Sequence, residues 1–163
     1  MDGLVREHYR DLTKALIQKG LTISTMESCT AGQIASLITD TEGASAVFKG
    51  GFVTYNNQAK IQQGVDRKVI EQYSVYSKET AMEMAKACRD TYETDYGIGV
   101  TGTLGNCDPN NQEDSRTGEV YFAIATKNGI KGFSAVVPKK ESRLEYKLCV
   151  ADGIYEKLKE LMK

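Results

Sequence analysis

The sequence predicts an α/β fold, a mixed β-sheet flanked by helices in a single domain, and three observations carry that reading. Stretches with helical apolar spacing alternate along the chain with short β-branched runs, the pattern of a sheet covered by helices. Two strand-like runs flank Lys127-Asn128-Gly129. Asn-Gly tolerates the positive φ of a tight hairpin turn, so at least one strand is antiparallel. The chain is 163 residues long, 40% hydrophobic and 26% charged, which is the size and composition of one globular domain, not of a disordered segment.

The elements follow in order. Val5, Leu12, Ala15 and Leu16 mark an amphipathic helix from Leu4 to about Lys19, with Gly20 placed to cap its end. Residues 21–26, Leu-Thr-Ile-Ser-Thr-Met, alternate and read as a strand. Ala31, Ile34, Ala35 and Ile38 give a second helix, broken at residues 39–43, and residues 47–55 give a second strand containing Gly50-Gly51. Asn56-Asn57 is a turn, residues 58–64 a polar stretch and residues 66–72 a short helix. Ser77 is the N-cap of a stronger helix with Ala81, Met84, Ala85 and Cys88 on one face. Residues 95–100 form a buried strand, and 101–117 form a polar loop too long for an ordinary connection and therefore a candidate functional segment. The hairpin strands are 118–126 and 130–137, and a helix from about Lys140 to Lys163 closes the chain.

Composition excludes several function classes. With 21 Lys and Arg against 22 Asp and Glu, the net charge is −1, so bulk charge does not direct the chain to nucleic acid. No apolar run approaches the roughly 18 residues of a membrane helix, and the polar start lacks a signal-peptide pattern, so a cytoplasmic protein is expected. Cys29, Cys88, Cys107 and Cys149 are widely spaced without a C-x-x-C pair, and His8 is the only histidine. A metal site is not expected from that set, nor is a histidine-dependent triad. Cys88 and Cys149 read as small core residues.

Four segments carry candidate chemistry. Glu27-Ser-Cys-Thr-Ala-Gly32 joins a strand to a helix, where backbone N–H groups face a ligand and Ser28 is exposed as a nucleophile. The plainer reading makes Ser28 or Thr30 a helix cap. At a second strand end stand Tyr55 and Lys60; a desolvated lysine takes a serine proton, and Tyr55 relays or orients it. Taken alone, Lys60 reads as a solvated surface residue. Gly97-Ile-Gly-Val-Thr101-Gly102-Thr103-Leu104-Gly105 suits a phosphate or ribose, although no P-loop ending follows. Arg143 and Lys147 share a helix face, where a guanidinium can clamp a phosphate, or the face is simply solvated.

Taken together the segments resemble the CinA C-terminal domain family, which comprises nicotinamide mononucleotide deamidases and competence/damage-inducible proteins. The resemblance rests on Glu27-Ser-Cys-Thr-Ala-Gly32, Gly43-Ala-Ser45 and Gly50-Gly-Phe-Val-Thr-Tyr-Asn-Asn-Gln-Ala-Lys60. It continues through Val75-Tyr-Ser77, Met84-Ala85, Val100-Thr-Gly102, Gly118-Glu-Val-Tyr121 and the Arg143/Lys147 pair. It implies a three-layer α/β/α domain with a mixed sheet across residues 1–163. It also implies an amidohydrolase that converts nicotinamide mononucleotide and water to nicotinate mononucleotide and ammonia, without metal or cofactor. Ser28 then matches the nucleophile, Lys60 the base and Tyr55 an assisting group. Thr30, Gly32, Thr101, Gly102 and Arg143 are expected to hold the phosphate and ribose, with helix N-terminal amides holding the oxyanion. The implied partner is a small mononucleotide, with no membrane and no nucleic acid; a homo-oligomer stays open.

The loop departs from the family's usual T/S-G-I-A-G-P and K-P-V-G-T-V segments. Leu104 adds bulk, Asn106 replaces a proline, Asp108, Glu113 and Asp114 add negative charge, and Lys147 stands for a second arginine. The competing expectation is therefore a non-catalytic nucleotide-binding or protein-interaction domain linked to competence or DNA damage, and a third is deamidation of a different small amide.

Overall fold

The computed structural model describes residues 1–163. Helix α1 (Asp2–Lys19) leads to β1 (Ile23–Glu27), α2 (Gln33–Thr39), a 3-10 turn at Ala44–Ala46 and β2 (Phe48–Val53). Helices α3 (Asn57–Gln62), α4 (Arg67–Tyr73) and α5 (Lys78–Tyr92) follow, then β3 (Tyr96–Gly102), the hairpin β4 (Glu119–Thr126) and β5 (Gly129–Val136), and α6 (Arg143–Leu161). The five strands lie in the order β2-β1-β3-β4-β5. β1 pairs in parallel with β2 and β3, while β4 is antiparallel to β3 and to β5. The expected mixed sheet is therefore present.

Helices cover both faces, which makes three layers. On one side α1, α2 and α6 bury Val5, Leu12, Leu16, Ile34, Leu148, Ile154 and Leu158 against Ile23, Ile98, Val100 and Phe122 of the sheet. On the other side α5 packs Met84, Ala81, Ala85 and Cys88 against Met26, Ala123 and Ala125. Every residue of β1 is buried, as a central strand covered on both faces requires. No helix is long and apolar enough to cross a membrane.

The second layer sits unusually close to the sheet, and glycines make this possible. A Cβ on Gly97 would collide with the Ala85 carbonyl oxygen of α5, and one on Gly99 with the Ala81 carbonyl oxygen. These two glycines, expected to serve a phosphate or ribose, instead let α5 lie on β3. Gly99→Ala has no flexible neighbour to displace, so it should cost at least about 2–3 kcal/mol of stability in urea unfolding. An unchanged midpoint and slope would show that α5 can shift outward.

Element ends follow local backbone chemistry. Gly20 closes α1 in the left-handed conformation, as expected from its position. The second helix starts at Gln33, not at residue 31, because Ala31 (φ 47°) and Gly32 (φ 95°) both adopt positive φ. Ser77 accepts from the Thr80 N–H, capping α5, and Ser142 does the same from Glu145, so α6 starts at Arg143 and not near Lys140. Residues 57–62, expected as part of a turn at 56–57 and a polar stretch over 58–64, form α3, capped by the Asn56 side chain at 2.7 Å from the Ala59 N–H.

Strand direction decides where the loops meet. β1, β2 and β3 run the same way, so residues 28, 54 and 101–102 emerge at one edge of the sheet. The chain moves from β1 outward to β2 and returns to β3 on the opposite side of β1, which opens a crevice there. β4 runs away from that edge and β5 runs back, which delivers the start of α6 to the same place.

Candidate active site

At this edge lies a cavity of about 530 Å³, within the size range of small-molecule sites. Its wall includes Ser28, Tyr55, Lys60, Thr101, Gly102 and Arg143. The loop after β3 supplies eight of its nineteen lining residues, from Thr103 to Asn111, so the long polar segment forms a wall of the site. That loop is folded on itself. Gly118 N–H donates to the Leu104 carbonyl at 2.9 Å, the Ser115 hydroxyl accepts from the Asp108 N–H at 3.1 Å, and the Thr103 hydroxyl donates to the Arg116 carbonyl. Leu104 is fully buried and joins the main core as well as the wall, so its bulk points partly away from the cavity.

The central pair is Lys60 and Ser28. Helix α3 turns Lys60 inward until only 1% of it is exposed, and its Nζ donates to the Thr54 carbonyl at 2.8 Å and to Ser28 Oγ at 3.0 Å. Burial lowers its pKa from 10.5 to about 8, against the opposing influence of Cys29 and Asp108. A neutral amine has two N–H donors and one lone pair. With an N–H directed at Thr54, the lone pair can face the Ser28 hydroxyl. At pH 7 about one tenth of such lysines are already neutral, far more than of a solvated lysine.

Ser28 is presented by a tight turn. The Ala31 N–H donates to the Ser28 carbonyl at 2.9 Å, and the Ser28 N–H to Val100 at 3.0 Å. Ala31 in the left-handed region costs about 1–3 kcal/mol, a strain typical of functional turns. Glu27 holds the turn from behind. Its carboxylate, 1% exposed, accepts from the Thr30 hydroxyl at 2.7 Å and from the Ile34 and Ala35 N–H groups at 2.9 and 3.0 Å. The first amides of α2 are thus occupied, which corrects the expectation that they face the ligand. The Cys29 and Thr30 N–H groups donate to no protein acceptor. The neighbouring Cys29 thiol is buried and pushed up to about 12, chiefly by desolvation and then by Glu27, so it stays protonated and a poor nucleophile.

The remaining expected residues divide. Arg143 reaches the cavity from the first turn of α6, with one guanidinium nitrogen 3.4 Å from the Tyr55 hydroxyl and another 3.4 Å from Asn106 Oδ1. Tyr55 therefore bonds Arg143, not Ser28 or Lys60, and has no hydrogen bond that relays the serine proton. Thr101 lines the cavity, but its hydroxyl donates to the Val75 carbonyl at 3.2 Å. Gly102 also lines it; a Cβ there would lie 2.6 Å from the Glu119 carbonyl oxygen. Thr30 and Gly32 do not reach the cavity: Thr30 is fully buried on Glu27, and Gly32 faces Val53. Lys147 lies outside the wall as well.

Sequence reasoning did not identify Tyr76, whose hydroxyl donates to Asp108 at 2.5 Å inside the cavity. The family segment Val75-Tyr-Ser77 contains it, but no local pattern gives it a role, because the two residues meet only when the loop folds back on the start of α5. His8 takes no part; it stacks on Tyr155 and bonds Asp152 at 2.7 Å. Cys88 is a core residue as expected, whereas Cys149 is only partly buried.

A three-layer α/β/α domain with a buried lysine on a strand-end serine defines a class of compact domain with its site at the carboxyl edge of a mixed sheet. Residues 6–162 match the model of the CinA C-terminal domain, and the chain belongs to that family. A CinA-like protein of Leptospira borgpetersenii is 41% identical over 121 residues, 74% of this chain but 28% of that protein's length. The chain thus spans less than a third of such relatives. The nicotinamide-nucleotide amidohydrolase PncC of Escherichia coli is 39% identical over 117 residues, 71% of this chain and 70% of that protein. Among solved structures, the competence/damage-inducible protein CihA of Agrobacterium tumefaciens superposes with a TM-score of 0.86 at 29% identity, covering 98% of this chain and 96% of that one. A CinA superfamily protein of Escherichia coli gives 0.86 at 28% identity, covering 96% and 90%.

Proposed function

We propose that the chain is a metal-independent amidohydrolase that deamidates nicotinamide mononucleotide. The observation that carries this reading is the 3.0 Å contact between a desolvated Lys60 amine and Ser28 Oγ at the base of the cavity. The name of the Escherichia coli relative supports the substrate.

In this mechanism the neutral Lys60 amine takes the Ser28 proton as Oγ attacks the carboxamide carbon. The Cys29 and Thr30 N–H groups stabilise the developing oxyanion. Lys60 then returns the proton to the amide nitrogen, the C–N bond breaks, and ammonia leaves an acyl-serine. Water, deprotonated by the same amine, hydrolyses the ester, releases nicotinate mononucleotide and restores Ser28. Arg143, loosely held by two 3.4 Å contacts, exchanges them for the substrate phosphate.

Incubation of the purified protein with nicotinamide mononucleotide should release ammonia and nicotinate mononucleotide in equal amounts. Binding without release would instead favour a non-catalytic nucleotide-binding domain. Arg143→Ala is expected to raise KM about 10–100-fold while changing kcat little, because the phosphate contact is common to ground and transition states. Turnover of the dephosphorylated riboside should not respond to this substitution; an equal response would separate Arg143 from phosphate recognition.

A further inference from the structure

The cavity wall carries three charged side chains, and two of them, Lys60 and Arg143, have roles in the chemistry proposed above. The third, Asp108, has none. Its carboxylate is half-buried in the loop wall and rigidly held. Oδ2 accepts from the Tyr76 hydroxyl at 2.5 Å, Oδ1 from the Asn110 N–H at 2.9 Å, and its own N–H donates to Ser115 Oγ at 3.1 Å. Two accepted bonds leave a carboxylate with further acceptor capacity and no cationic partner; none of its recorded contacts is with a lysine or arginine. The cavity wall therefore carries a negative charge that no lysine or arginine pairs with.

Its position relative to the reacting pair matters. Asp108 and Lys60 line the same cavity, and the Asp108 charge acts on the Lys60 amine. A substrate whose amide carbon sits on Ser28 must therefore place the ring that bears the amide in the same field. Arg143 supplies the opposite pole, so the cavity pairs one anion-binding group with one cation-binding group. A phosphate alone would satisfy only the first.

We propose that Asp108 is a specificity-determining residue that selects an amide-bearing ring with a fixed positive charge over its neutral counterpart. The proposal rests on the mononucleotide reading above and extends it. A pyridinium carboxamide mononucleotide is a zwitterion, with a cationic ring and an anionic phosphate, and matches both poles. Its 1,4-dihydro form keeps the amide, ribose and phosphate but has an uncharged ring. Asp108 should therefore separate these two ligands, whereas Arg143 should hold both equally.

Calorimetric binding to the full chain carrying Ser28→Ala tests this with nicotinamide mononucleotide and its 1,4-dihydro form. The oxidised form should bind about ten-fold more tightly than the reduced form, the size expected of one partly solvated charge contact. Added Asp108→Asn, whose Oδ1 can still accept from the Asn110 N–H while its amide NH2 donates to the Tyr76 hydroxyl oxygen, should reduce that ratio to within about two-fold with an unchanged melting temperature. Rising salt should shrink the ratio only while Asp108 is present. A ratio unchanged by Asp108→Asn overturns the proposal, even if the wild-type chain releases ammonia. The expected ratios without ammonia release from the wild-type chain overturn the deamidase reading alone. If neither form binds, both readings fall. Should Asp108→Asn fail to fold, the salt dependence of the ratio decides: a ratio indifferent to salt overturns the proposal.

Discussion

Ser28→Ala is expected to lower kcat for ammonia release by at least about four orders of magnitude while leaving mononucleotide affinity nearly intact. The expectation follows from the division of labour in the cavity. In the proposed mechanism the Ser28 hydroxyl attacks the amide carbon, whereas Arg143 and the loop wall hold the mononucleotide. Removing a nucleophile disables the linked steps together, so residual turnover reflects only orientation and the free amides. Cys29 cannot substitute, because burial keeps its thiol protonated. Quench-flow of the wild-type chain should trap an acyl-serine, and Ser28→Ala should show none. Full activity in that variant would exclude the covalent route.

Lys60→Met has the second-largest expected effect, and it appears in two measurements. In kinetics, kcat should fall about 10²–10⁴-fold, the range of a lost general base. The wild-type kcat/KM should rise with pH and level off above about 8, since the proposed mechanism needs the neutral amine and burial lowers its pKa to about that value. Lys60→Met should lack that inflection. In stability, the sign is set by the unfolded chain, where a lysine keeps a pKa near 10.5. Between about pH 8 and 10.5 the unfolded state binds more protons than the folded state, so folding becomes more favourable as pH rises. Conversely, this contribution is lost as pH falls through 8. Relative to Lys60→Met, the wild-type chain should therefore gain about 2–3 kcal/mol of unfolding free energy from pH 7 to 10.5. Parallel stability curves for the two proteins would mean that Lys60 is not held neutral by burial. On that expectation the buried amine costs the chain stability at neutral pH, an exchange common at functional sites.

Much of the fold is legible because burial writes itself into spacing. Val5, Leu12 and Leu16 on α1, and Leu148, Ile154 and Leu158 on α6, repeat at helical intervals since each helix has one face on the sheet. The hairpin is legible because Asn128-Gly129 marks its turn, although there only Gly129 takes a positive φ, 134°. Helix α3 is the instructive exception. Its one buried residue is Lys60, so the only inward position carries a charged side chain and no apolar period exists to be seen. The same burial that hides the helix from pattern reading gives the lysine its chemistry.

Glycines illustrate a second limit. Gly97 and Gly99 look like ligand-facing residues in sequence, yet they face the backbone of α5. A glycine records only that something comes close, and the identity of the neighbour depends on how layers stack. Thr30 is similar: its hydroxyl was available to a ligand until the fold placed the Glu27 carboxylate 2.7 Å away.

The sequence by itself determined the alternation of elements, the antiparallel hairpin, the family and the segments that carry Ser28, Lys60 and Arg143. Those follow from local propensity, burial period and motif, which act over a few residues. Only the tertiary structure decided that Lys60 reaches Ser28, that Tyr55 bonds Arg143 instead of the serine, and that Asp108, held by Tyr76, lines the same cavity. The partners in these contacts lie 32, 88 and, for Tyr76 with Asp108, 32 residues apart. Strand direction and loop closure bring them together, and desolvation then sets the charge on the amine, a quantity that no run of residues encodes locally.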